Sequence, residues 1–154
     1  MSDHCPDCGA AVLGGRAGCQ ALFDELATPA PGARGLGGQR DLAFDAYCMQ
    51  HPDTYCRSAK SYAAHLTRLC CGLEHGGDRR VYRAIQRWLN GQVKLNKPQV
   101  LTERGRLTIA GLRAASDSEE MQRFAQTWAE AVWQAYAAQH ELARSWIREA
   151  GQLP

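Results

Sequence analysis

Two sulfurs three residues apart, in the segment Cys5-Pro6-Asp7-Cys8-Gly9, constrain this chain more than any other feature, because a C-P-x-C-G turn aims both thiolates at one point. The proline sets a tight turn and the glycine lets the backbone fold beneath a bound ion. Two thiolates are half of a tetrahedral site. No second C-x-x-C occurs in the 154 residues, so the remaining ligands have to be delivered from elsewhere by the fold.

A chain of this length can bury one core without a metal for bulk stability. It reads as a single domain, with a metal-knuckle cap over residues 1–16 and a helical body over 17–154. Apolar residues at 45% and charged residues at 22% exclude a disordered or fibrous chain. No run approaches the roughly 18 apolar residues of a membrane span. Met1-Ser2-Asp3-His4 lacks the basic-then-apolar layout of a secretory signal, so the expectation is a cytoplasmic protein with no membrane partner. A net charge of +2 is too small to argue for nucleic acid, which leaves a small molecule or another protein as partner. Seven cysteines would leave a disulfide framework one thiol short, and in a reducing compartment metal ligation explains the N-terminal ones better.

Beyond the knuckle, Ala10-Ala11-Val12-Leu13 reads as a short strand closed by Gly14-Gly15. A helix follows from about Gly18 to Thr28, ended by Pro29 and Pro31, with loop to Gly38. Phe44, Tyr47, Cys48 and His51 share one stripe of a helix over Gln39 to His51, which Pro52 stops. The next stripe, Tyr62, His65, Leu66, Leu69 and Leu73, marks a helix from Arg57 to about His75 and puts His65 in the middle of an apolar face. Asp78 caps a fourth helix through Asn90, and a short one runs from Leu107 or Thr108 to Ala115. Ser116 or Asp117 caps a long last helix from Ser118 to Ala150. With a period near 3.6 throughout, the sequence predicts an all-α bundle of about five or six helices with a small N-terminal zinc-knuckle cap.

Cys19 is the next sulfur after the knuckle and stands at the positive end of a helix, which favours its thiolate. His51 and His65 compete for the fourth place, with Asp45 or Gln50 available to hold the other ring nitrogen. Cys48-x-x-His51 offers a different completion with Cys5 and Cys8. If His51, His65 and His140 met, they would form an open, histidine-lined site with catalytic geometry. Each histidine also has a plain account: His65 as a core residue bonded to an oxygen, His51 as a helix-terminal residue, His4 and His75 as surface residues. Arg80, Arg83 and Arg87, with Lys94 and Lys97, read as a solvated face, and Cys70-Cys71 as packing.

The combination of Cys5-Pro6-Asp7-Cys8-Gly9, Gly18-Cys19, Asp45-Ala46-Tyr47, Gln50-His51-Pro52, Ser61 to His65-Leu66, Leu107-Thr108 and Trp128 to Trp133 resembles an uncharacterised bacterial family, domain of unknown function 5946. The resemblance covers nearly the whole chain and implies no activity. It carries over to Cys5, Cys8, Cys19, His51, His65 and His140, and leaves Cys48 and Cys70-Cys71 outside the pattern. The expectation is a small zinc-binding helical protein, with Zn2+ held by Cys5, Cys8 and Cys19 plus His51 or His65 in a structural or regulatory role. The alternative is a metalloenzyme acting on a small molecule through His51, His65 and His140.

Overall fold

The computed structural model describes residues 3–28 and 38–152. Within them the order is α1 (Arg16–Ala27), α2 (Gly38–Gln50), α3 (Pro52–Tyr55), α4 (Ala59–Glu74), α5 (Arg79–Asn90), α6 (Ile109–Arg113), α7 (Ser118–Ala135), a 3-10 turn (Ala137–Gln139) and α8 (His140–Gly151). The all-α bundle expected from the periodicity is present. Most of the expected linker between the first two helices lies outside the described residues.

Local chemistry starts and stops these helices much as the sequence implies. Ser58 accepts from the Ser61 amide at 3.0 Å, and the Ser61 side chain answers on the Ser58 backbone, a capping box that opens α4. Asp78 accepts from the Arg80 amide, and Asp117 from the Glu120 amide, each at 2.8 Å. Pro52, which cannot extend α2, instead begins the single turn of α3.

Three expectations change. The segment after the knuckle makes only an isolated bridge, His4 to Ala11, rather than a strand. The described residues hold eight α-helices rather than five or six, because the single turn α3 is added and the last helix is two. That last helix breaks at Tyr136–Gln139 for tertiary reasons, since no glycine or proline stands there. Tyr136 donates its hydroxyl to the Met49 carbonyl at 2.6 Å, while Gln139 accepts from the Tyr62 hydroxyl at 2.6 Å and donates to the Gln99 carbonyl at 3.1 Å. His140 then donates from Nε2 to the Trp133 carbonyl at 2.7 Å and stacks on the Trp133 ring at 3.8 Å, satisfying an acceptor beside the break.

Helix α2 packs against both α7 and α4, while α8 closes on α4 and α5, and α1 lies on α2 and α6. Trp128, Tyr47, Tyr62 and Tyr136 are fully buried between these layers, and a buried indole or phenol needs a polar partner. Trp128 finds its partner in Gln50, whose Oε1 accepts from Nε1 at 3.1 Å. The Gln50 amide donates in turn to the carbonyls of Arg104 at 3.0 Å and Leu107 at 2.8 Å. Arg104 extends the chain outward by donating to the Asp7 carbonyl at 2.6 Å. A line of hydrogen bonds thus runs from the centre of the bundle to the middle of the C-P-x-C turn.

Candidate metal centre

The knuckle is closed by its own backbone. Gly9 donates to the Cys5 carbonyl and Cys5 to the Ala10 carbonyl, both at 2.8 Å, with Gly9 at a φ of 80° that side chains disfavour. Arg16 grips the Asp7 carboxylate with two donors, at 2.9 and 3.2 Å, and holds its pKa below the ordinary value. This pair fastens the turn to the start of α1, where Cys19 is carried into the interior. Gly18, just before it, is required by space: a Cβ there would overlap the Leu13 carbonyl oxygen.

The fourth group arrives from the end of α2. Because Pro52 stops the helix, the His51 amide turns back to Cys48 at 3.1 Å. The Tyr47 carbonyl takes the His51 Nδ1–H instead, at 2.8 Å. A carbonyl can only accept, so Nδ1 carries a proton, and in the neutral ring the lone pair stands on Nε2. That lone pair faces the sulfurs: Nε2 lies 3.7 Å from Cys5 Sγ and 3.6 Å from Cys19 Sγ, and Cys8 Sγ lies 3.8 Å from Cys19 Sγ. The ring is clamped by stacking on Tyr47 at 3.9 Å, and Tyr47 stacks on Phe23 at 4.1 Å.

All four ligand atoms lie within 4.8 Å of one another, a group able to hold a metal ion. Metal–sulfur bonds of about 2.3 Å and metal–nitrogen bonds of about 2.0 Å in a tetrahedron imply S–S edges of about 3.8 Å and S–N edges of about 3.5 Å. The two S–N separations and the one S–S separation above match these values, and the other three pairs lie within 4.8 Å. Cys5, Cys19 and His51 are buried and Cys8 is half-buried, so the set is nearly closed to water.

The thiols are unequal. The hydrogen bond between Cys8 and Cys19 lowers the Cys19 pKa, and the same bond pushes Cys8 up. A metal ion is held by thiolates, so binding here releases the thiol protons. The Tyr47 hydroxyl, 3.6 Å from Cys19 Sγ, is suited to donate to that sulfur once it is a thiolate.

The structure brings together Cys5, Cys8, Cys19 and His51 and places the other candidates elsewhere. His65 is not part of the group. Its Nδ1 meets Asp45 Oδ1 at 2.9 Å, so the acid expected behind a ligating histidine holds this one instead. His140 is committed to Trp133, and His51, His65 and His140 form no metal-holding group among the described residues. Cys48 belongs to no such group either, and burial raises its thiol pKa. Burial also pushes Cys56 and Cys70 up to about 12 and Cys71 to about 11, which keeps them unreactive thiols. Sequence reasoning missed Tyr47 and Arg104. Tyr47 was findable, since it stands four residues before His51 on one helical face. Nothing local connects Arg104 to a turn 97 residues earlier.

A model of a family of unknown function, DUF5946, matches residues 3–137. The chain belongs to that family. The DUF5946 match contains all four residues of the metal-holding group and His65, and it ends inside the 3-10 turn that precedes α8. No curated protein and no solved structure matches the chain.

Proposed function

We propose that the chain is a zinc-binding helical protein whose metal is structural, pinning the N-terminal cap to α1 and α2 so that cap and bundle act as one domain. The observation that carries this reading is the convergence of three sulfurs and one imidazole nitrogen within 4.8 Å, three of whose separations have tetrahedral edge lengths, with the other ring nitrogen engaged by a carbonyl. Three thiolates and an imidazole are a soft set that suits zinc, and four protein ligands leave no open position for a reacting water. The cap has little apolar surface of its own, with Cys5 and Ala10 among its few buried side chains. Metal binding would supply the free energy that such a segment lacks. Thiolate ligation also agrees with a reducing, cytoplasmic setting. No described helix is long and apolar enough to cross a membrane.

Metal analysis of the purified protein tests the reading. One zinc per chain is expected, lost in Cys8→Ser and His51→Ala and retained in His65→Ala. Loss in His65→Ala with retention in His51→Ala would overturn the ligand set, and protein purified without stoichiometric metal that takes up none on titration would overturn the function.

A further inference from the structure

A cleft of about 970 Å³ opens between α2, α4 and α5, away from the four ligands. Three of its lining residues are glycines. A Cβ at Gly72 would press to 2.5 Å from Leu42 Cδ2 and 3.4 Å from the Tyr82 hydroxyl, and Gly76 and Gly77 form the turn at its rim. The volume suits a small organic ligand.

Charge indicates which kind. Arg68 from α4 and Arg79 and Arg83 from α5 line the cleft, against one lining carboxylate, Asp41. Arg79 and Arg83 stand one helical turn apart, and neither has a carboxylate partner among the described residues. Arg79 also occupies the first turn of α5, where the capping carboxylate of Asp78 is taken by Arg80 rather than by Arg79.

Arg68 is held differently. Its Nε lies 3.4 Å from Oδ2 of Asp45, a side chain only 1% exposed, and no hydrogen bond reaches that oxygen. The other Asp45 oxygen accepts from His65. Asp45 is thus an ion-pair partner of Arg68 without a hydrogen bond to it, and the Arg68 side chain, which lines the cleft, remains 35% exposed. The Arg68 guanidinium carbon also sits 6.0 Å from the centroid of the Phe44 ring. A guanidinium paired with a buried carboxyl group on one nitrogen and still a third exposed keeps donors available for an oxyanion.

We propose that this cleft binds a small molecule bearing a phosphate group, with Arg68, Arg79 and Arg83 as the recognising residues and Asp45 as a positioning residue for Arg68. Three forks from two helices call for an acceptor with oxygens directed to several sides, which phosphate has and a single carboxylate lacks. This site is independent of the zinc reading, because it uses none of the four ligands.

Inorganic phosphate is the probe for the anchor. Titrated into zinc-loaded protein at constant ionic strength, it should shift the arginine Nε–Hε NMR signals of Arg68, Arg79 and Arg83 saturably. The Arg79→Gln/Arg83→Gln double variant should bind at least about ten-fold more weakly, since each lost charge-assisted contact is worth about a factor of ten. Arg57→Gln should bind as the wild type does, and unchanged circular dichroism and metal content in both variants will exclude misfolding. Equal shifts at Arg57, Arg87 and Arg148, or unaltered affinity in the double variant, would overturn the proposal.

Discussion

Gly18→Ala should weaken metal binding without altering a ligand. Propensity alone predicts the opposite, because alanine in place of a helical glycine stabilises by up to about 1 kcal/mol. At position 18 the new Cβ would overlap the Leu13 carbonyl oxygen, a backbone atom that no rotamer change can remove. Restoring contact to an ordinary 3.4 Å moves the start of α1 and the cap apart. Cys19 is the next residue, and its sulfur stands 3.8 Å from Cys8 Sγ, so a shift of its backbone strains metal–sulfur bonds that hold to within about 0.2 Å. A backbone overlap belongs at the upper end of overpacking costs, about 3 kcal/mol, so a net loss of about 2 kcal/mol remains after the propensity gain. To the extent that the metal-free cap relaxes the overlap and the metal-bound one cannot, this loss appears in metal binding, up to about a thirty-fold rise in the dissociation constant. Competition with a chromogenic chelator measures it directly, and Co2+ absorption reports any distortion of the tetrahedron. Gly151→Ala is the control, because a Cβ there meets nothing within 4 Å and the helical gain should appear alone. If Gly18→Ala holds metal as tightly as the wild type, the steric account of the Gly18-Cys19 pair is wrong.

Gln50→Leu should cost about 3 kcal/mol or more in urea denaturation, because it strands the Trp128 indole N–H and the carbonyls of Arg104 and Leu107 at once. A fitted loss below 1 kcal/mol would show that water replaces the amide. Glu74 ends α4 and is clamped by Arg144 of α8 through bonds of 2.8 and 2.7 Å, the leading reason its carboxyl pKa falls below 4.5. A depressed folded pKa means stability that is complete above the unfolded value near 4.5 and drains as pH falls through the folded one. Glu74→Gln should therefore melt below the wild type at pH 7 and level with it at pH 2; an equal deficit at both would remove the electrostatic explanation.

Much of this molecule was legible from short stretches of chain. A cysteine pair with proline and glycine between and after it declares half a metal site through its own turn. Ser58, Asp78 and Asp117 mark helix starts because a cap bonds to amides two or three residues away. Pro52 ends α2 by the shape of its ring, and that interruption releases the Tyr47 carbonyl for His51.

What the residue order could not decide was the outcome of competitions between distant groups. His51 and His65 carry the same imidazole on similar stripes, yet one points to sulfurs 46 and 32 residues away while the other is captured by Asp45. The stripe over the last helix likewise gave no warning of the break, which depends on Met49, Tyr62 and Gln99 supplying partners from other helices. Turns and caps act over a few bonds and are written locally. Ligand selection and helix breaks depend on which polar groups meet after the core has closed, and only the packed chain determines that.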